Sequence, residues 1–350
     1  MIVPIFLPHL GCQTRCIYCD QDAITDIEAI DLQTRIGQSL IGRRNPVEVG
    51  LYGGNIFGLH PEALKRLFSY FDSYRSEITN FRVSTKPLPI NNEIIDILKK
   101  NGATTVELGI PTFNDRILEL LNRKHTAEDL INAFDVLKNK GFQVALQVMV
   151  GLPHETRDDI WETVKNILSL KPSFIRIYPL AFISGTPLVD MYTAGKFSVI
   201  TIEEAIHRAM LIYLSALRHE IKTVKMGLTD NEVIKNRIVG GYYHPAFGFL
   251  VKSLAFYLAI ITKIYERGFN GQATIHLNNR DVPHLLGHKR TNLARFLDAG
   301  IAIDWKVTNI PPGKFILIAE NKEIQGNIFD ALSHVNNQQQ SKYGNRAFGA

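Results

Sequence analysis

Residues 10 to 21 read LGCQTRCIYCDQ, and within them Cys12, Cys16 and Cys19 are all the cysteines of a 350-residue chain. Thiols crowded into one short loop cannot build a disulfide framework, which needs separated pairs and an oxidising compartment. They point to metal. A Cys-x3-Cys-x2-Cys spacing lets a tight loop place three thiolates on three corners of an iron–sulfur cube, and the fourth iron is left without a protein ligand. The alternatives are a zinc site completed by His9, or three unrelated thiols; zinc spacings usually come as separated Cys-x2-Cys pairs.

Outward from this loop the chain repeats one pattern. Strand-like runs stand at IVPIFL, VEVGLY, FRVST, TTVELGI, FQVALQVMV and FIRIYPL, each followed by a segment of helical spacing. Six such βα units of roughly 30 residues predict a parallel sheet with right-handed crossovers, its strands buried on both faces. Hydroxyl caps three residues before a carboxylate, at Thr126 with Asp129, Thr156 with Asp159 and Thr201 with Glu204, mark helix starts. Six units make an open three-quarter barrel more readily than a closed eightfold one. The cysteine loop then follows the first strand, where barrel chemistry sits.

Composition sets outer bounds. The hydrophobic share is 45%, and 39 Lys and Arg stand against 34 Asp and Glu. This fits a soluble globular chain whose mild net charge implies no polyanionic partner without a local basic patch. The N-terminal MIVPIFLPHLG lacks a basic leader region and a cleavage site, so it is expected to be a buried strand. The longest apolar run, FGFLVKSLAFYLAIITKIY, is interrupted by Lys252 and Lys263, so no membrane span is expected and the protein is read as cytoplasmic.

The motifs along these strands resemble the radical S-adenosylmethionine (SAM) superfamily, in particular the group of Elongator's catalytic subunit and the oxygen-independent coproporphyrinogen oxidases. Tyr18 before the third cysteine matches the aromatic found there. Gly53 and Gly54 in YGGN resemble the glycine pair that meets the SAM amino group, and STKP, beginning at Ser84, resembles STRP. ELGIPTFNDRILELLNRKHTAED is close to the form ELGVQSFND…LNRGHTAED, in which Arg123 would pair with the SAM carboxylate. LQVMVGLPHET resembles LQLMVGLPGET, in which Gln147 would face the ribose while Gly151, Leu152 and Pro153 would line the adenine. Without that resemblance these are a turn glycine pair, a solvated arginine and a strand glutamine bonded to a neighbouring strand. Two positions depart from the pattern: Asn55 replaces Ser, Thr or Glu, and Pro111 replaces Gln, which puts substrate identity in question more than cluster binding.

The resemblance covers roughly residues 1 to 320. It implies an α/β fold with a partial (β/α)6 radical-SAM barrel over 1–200; the long helical segments that follow suggest a helical lid or side wall over 201–268, and the element order from residue 273 resembles a KH-type RNA-binding module, a small C-terminal α+β (KH-like) module over 269–325. A polar, disordered tail is expected over 326–350. It also implies a 4Fe-4S cluster on Cys12, Cys16 and Cys19, bound SAM, and an external electron donor of flavodoxin or ferredoxin type. No acetyltransferase pocket is expected after residue 260. In the module, Gly287-His288-Lys289-Arg290 stands where KH modules carry Gly-x-x-Gly; the second glycine is lost, but Lys289 and Arg290 offer two cations to RNA phosphates. The other reading of that loop is a solvated basic turn. Three functions follow: a radical SAM enzyme acting on RNA, one acting on a small molecule such as a tetrapyrrole or cofactor precursor, or a non-catalytic metal or electron-transfer protein.

Overall fold

The computed structural model describes residues 1–20, 31–42, 45–229, 232–320 and 322–333. The chain divides into two compact units, Met1–Ala205 with His219–Pro245, and Ile206–Arg218 with the chain from Ala246 onward.

In the first unit the Val- and Ile-rich runs form β1 (Ile2–Phe6), β2 (Val47–Tyr52), β3 (Ile78–Thr85), β4 (Ala103–Gly109), β5 (Gln143–Val150) and β6 (Phe174–Pro179). Between them lie α1 (Leu32–Leu40), α2 (Pro61–Ser69), α3 (Asn92–Lys100), α4 (Asp115–Leu120), α5 (Ala127–Asn139) and α6 (Arg157–Leu170). After β6 come β7 (Ala181–Ile183), α7 (Pro187–Thr193), α8 (Ile202–Arg218), β8 (Lys222–Met226), α9 (Glu232–Arg237) and β9 (Ile238–Gly241). The sheet is seven-stranded, ordered β1-β2-β3-β4-β5-β6-β8, and every neighbouring pair is parallel. It is a curled, open parallel sheet covered by helices, a partial barrel. Seven strands replace the six expected. The helical wall expected over 201–268 is interrupted: α8 stops at Arg218, Glu220 turns left-handed (φ 61°), and β8 joins the edge of β6.

The cap motifs perform as their chemistry dictates. Thr126 and Asp129, and likewise Thr156 and Asp159, form reciprocal capping boxes, each satisfying two amides at a helix start that would otherwise lack partners. At the third site Thr201 caps the Glu204 amide at 3.2 Å, but the Glu204 carboxylate leaves the helix end to accept a two-pronged contact from Arg157. An apolar cluster including Leu152, Leu180, Phe182 and Tyr242 closes the end of the unit beyond β5 and β6.

The second unit is built on α10 (Phe247–Glu266), followed by β10 (Gly271–Leu277), α11 (Val282–Leu286), α12 (Thr291–Asp298), β11 (Ile301–Val307), β12 (Lys314–Ala319) and β13 (Lys322–Asn327). Its sheet runs β11-β10-β12-β13, with β10 parallel to β11 and antiparallel to β12. α10 is long and apolar enough to cross a membrane by length and composition, despite the two lysines taken to interrupt it, and most of it is buried. Asn292, fully buried on α12, donates to the carbonyls of Ser253 and His284 at 2.9 Å each, and Tyr257 packs on Phe296 with ring centroids 4.9 Å apart. The start of the expected tail is folded: Asn327 ends β13, Ile328 and Ala331 are buried, and Asp330 pairs with Lys263 at 3.3 Å. The rest of that tail, 334–350, lies outside the described residues.

Candidate active site

β1 delivers the cysteine loop to the ends of its neighbours, and each neighbour holds one part of it. His9 N–H donates to the Gly53 carbonyl at 2.9 Å and Asn55 N–H to the Leu10 carbonyl at 2.7 Å. The approach is so close that a Cβ on Gly54 would stand 2.6 Å from the Leu10 carbonyl oxygen, and one on Gly58 only 2.0 Å from that of Gly11. Past β3, Lys86 Nζ donates to the Thr14 carbonyl at 3.0 Å. Past α4, Asn122 donates to the Arg15 carbonyl at 2.9 Å, and Ile17 N–H to the Leu121 carbonyl at 3.3 Å. The loop is therefore fixed from three sides, with Cys16 buried and Cys12 and Cys19 partly exposed.

Asn55 explains one departure from the resemblance. Its side-chain carbonyl accepts from Thr85 Oγ1 at 2.7 Å and from Lys86 N–H at 3.0 Å, while its amide reaches the Gly11 carbonyl at 3.4 Å. A hydroxyl could not serve both the loop and the end of β3 in this way, so the amide ties them together.

Arg123, buried at the start of the turn before α5, points its guanidinium into this loop. It donates to Cys16 Sγ at 3.3 Å, to His125 Nε2 at 3.2 Å and to the Gly109 carbonyl. Burial by itself pushes the Cys16 thiol up, but the charges of Arg123 and Lys86 outweigh it and hold the thiol below its ordinary range. Cys12 goes the other way, because its burial is only partly offset by Lys86. Iron ligation takes thiolate, so the cationic surroundings suit Cys16 to that role.

A second cluster lies deeper among the strands. Glu107, with no exposed surface, accepts from Arg176 Nε at 2.7 Å and Arg176 NH2 at 3.0 Å, from Gln147 at 2.8 Å, from Tyr52 at 3.2 Å and from Arg82 at 3.4 Å. Arg82 turns its other nitrogens to Glu48 at 3.0 and 3.1 Å, and Gln147 also donates to Ser84 Oγ at 3.2 Å. A buried carboxylate needs such a full complement of donors. Desolvation, and then the Glu107 charge, drives Tyr52 above the ordinary phenol range, so it stays a neutral donor.

A cavity of about 610 Å³ joins the two clusters: Cys12, Cys16, Cys19, Gly53, Gly54, Ser84, Arg123 and Gln147 all reach its wall. Gly151 and Leu152 do not. Gly151 gives its amide to Glu155 Oε2 at 2.8 Å and lies against the Tyr242 ring, where a Cβ would come within 2.2 Å. Leu152 is in the apolar cluster. Pro111 reaches the cavity and its carbonyl accepts from Met149 N–H at 2.9 Å. Sequence reading passed over Tyr52, Lys86, Glu107, Arg176 and Lys225. The only signal for Glu107 was a carboxylate within an apolar strand. Lys289 and Arg290 are exposed, both in left-handed backbone (φ 51° and 63°). Among the described residues no group of His, Cys, Asp or Glu side chains is drawn together around a single ion position; a cube takes one thiolate at each of three separate corners.

An open parallel barrel brings three thiols, a glycine turn and a buried arginine together at one cavity. Residues 6–167 match the family described as Radical SAM superfamily, and 172–255 match the Radical_SAM C-terminal domain. The chain belongs to the radical SAM superfamily of enzymes. It is 28% identical over 201 residues to an uncharacterized protein of Methanocaldococcus jannaschii, spanning 55% of this chain and 60% of the relative. It is 32% identical over 172 residues to the tRNA uridine(34) acetyltransferase of the same organism, spanning 48% of this chain and 31% of that protein. The fold is shared with the archaeal Methanocaldococcus infernus Elp3 lacking its N-terminus: TM-score 0.56, 21% identity, 76% of this chain and 63% of that one. The chain thus spans between about a third and two thirds of these three proteins.

Proposed function

We propose that this chain is a cytoplasmic radical SAM enzyme that holds a 4Fe-4S cluster on Cys12, Cys16 and Cys19 and modifies RNA, with tRNA the expected substrate class. When bound, the cluster supplies one electron that cleaves SAM to methionine and a 5′-deoxyadenosyl radical. The chain's own residues do the holding. Lys86, Asn55 and Asn122 fix the loop, and the fork of Arg123 is suited to a carboxylate. Gly53 and Gly54 give backbone approach, and Gln147 presents a polar edge at the cavity wall. The observation that carries the reading is that Arg123, Gly53, Gly54 and Gln147 share one cavity with all three thiols. A protein that merely stored metal or passed electrons would not need that convergence.

RNA as substrate is supported by the similarity to a tRNA uridine(34) acetyltransferase and by the exposed cations Lys289 and Arg290 in a module proposed to be KH-like. A small-molecule substrate is the second reading, favoured by the modest basic patch. An electron donor of flavodoxin or ferredoxin type is part of the proposal.

Anaerobic reconstitution should give a brown protein with four irons per chain, and Ala at any one of the three cysteines should abolish the cluster. Reductant and SAM should then yield 5′-deoxyadenosine. Arg123→Ala should weaken SAM binding, read by equilibrium dialysis, while iron content holds; stoichiometric zinc in a colourless protein would refute the reading. Incubation with total cellular RNA or with small-molecule extract, followed by mass spectrometry, separates the two substrate classes.

A further inference from the structure

β8 pairs with β6 as Phe174↔Lys222, Ile175↔Thr223 and then Arg176↔Lys225, so Val224 is skipped as a bulge and stands 48% exposed. Bulges re-aim the side chains that follow them. Here the lysine, rather than the valine, is set beside Arg176, and both cations reach the wall of the same cavity. Like charges directly opposite on adjacent strands repel, so this pairing needs compensation.

Arg176 has it, through both oxygens of Glu107. Lys225 does not. It donates to the Thr229 hydroxyl at 3.1 Å and joins no ion pair among the described residues. Around it the carboxylates are spoken for: Glu48 and Glu107 are matched by Arg82 and Arg176, and Tyr52 and Tyr178 stay neutral because burial raises both phenols. Among the described residues one positive charge at this wall is therefore in excess. Burial, and then the charge of Arg176, pulls the Lys225 amine below its ordinary range. An anion brought to this amine relieves both the repulsion and the desolvation.

We propose that Lys225 and Thr229 receive an anionic oxygen group of the substrate, a phosphate or a carboxylate, at the β6–β8 wall of the cavity. This rests on the reading of that cavity as the radical SAM active site. The carboxylate of SAM is assigned to Arg123 at the cysteine loop, so the Lys225 anion is the substrate's own.

The test is competitive labelling of the reconstituted protein with limiting acetic anhydride, read at each lysine by mass spectrometry, with exposed Lys314 as the internal standard. The probes are inorganic phosphate, uridine 5′-monophosphate, uridine, citrate and SAM. An adjacent anion raises an ammonium's pKa by about one unit or more, so the free amine and its labelling should fall about tenfold. That fall is expected with the monophosphate or with citrate, not with uridine, and at Lys225, not Lys314. Protection by the phosphates alone assigns a phosphorylated substrate, and protection by citrate alone a carboxylated one. Protection by SAM alone, or by no probe, overturns the proposal. Lys225→Met, shown to be folded by its thermal melt, should lose the protecting probe's binding as measured by NMR, and Lys225→Arg should keep it; equal binding by the Met variant also overturns it. Iron content and 5′-deoxyadenosine formation by the parent protein are scored separately. Probe binding without them would leave Lys225 standing and remove the radical SAM reading of this chain.

Discussion

Glu107 organises the interior of the barrel. It takes donors from β2, β3, β5 and β6, and removing its charge would leave the mostly buried Arg176 without its carboxylate partner and Arg82 with Glu48 alone. Breaking a buried pair from one side costs about 3–5 kcal/mol, so Glu107→Gln should lower the unfolding free energy measured in urea by an amount on that scale, and an unchanged free energy would contradict the network. His125 gives a pH signature. Burial, and then the charge of Arg123, lowers it to about 4, and as a neutral ring it accepts from Arg123 at Nε2 with its other nitrogen 3.3 Å from the Thr126 carbonyl. Unfolded, it titrates near about 6.5. Between those values the unfolded chain binds more protons, so stability is full above about 6.5 and is lost as pH falls toward about 4, by on the order of 3 kcal/mol. His125→Gln should flatten that limb of the stability profile in denaturation experiments at stepped pH. A limb as steep as the parent's would assign the slope to other groups.

At the level of elements, the helix starts were legible in the sequence because a capping box is local: Thr156 and Asp159 meet across one turn whatever the rest of the chain does. Thr156→Ala should cost about 1 kcal/mol in chemical denaturation with iron content unchanged; a loss of iron would mean that α6 supports the cysteine loop. Strands β1 to β6 were legible for a related reason, since Val- and Ile-rich runs leave little other reading, although β1 and β3 bury alternate residues and not both faces as expected. β8 was not. Lys222-Thr-Val-Lys-Met carries two lysines and alternates weakly, and it follows a helix with no turn signal beyond the left-handed Glu220. Its place at the sheet edge comes from pairing with β6, about fifty residues earlier in the chain. The role of Lys225 was hidden further, because it depends on the bulge at Val224. The Glu107 cluster was half visible: a carboxylate in an apolar strand announces a need for partners, but Tyr52, Arg82 and Arg176 come from three other strands, and only the assembled sheet names them.

For the whole molecule, the thiols and the cavity they share belong to the first unit, and the exposed turn of Lys289 and Arg290 to the second. Chemistry is gathered in the first unit, where the cavity is. The second unit carries a four-stranded sheet and a turn in which Lys289 and Arg290 stand exposed. Both positions are in left-handed backbone, and Arg290 stands where a Gly-x-x-Gly turn would carry its second glycine. If this turn meets RNA, its contribution is electrostatic and sequence-independent, and each phosphate contact releases counterions. Changing Lys289 and Arg290 together to Gln should flatten the slope of log K against log salt for tRNA binding by up to about 2, measured by filter binding across a salt series. Iron content and substrate-free SAM cleavage should be unchanged, because the thiols and Arg123 belong to the other unit. A parent protein with no tRNA affinity at low salt would instead make the turn architectural. The anion received by Lys225 would then be sought on a small molecule.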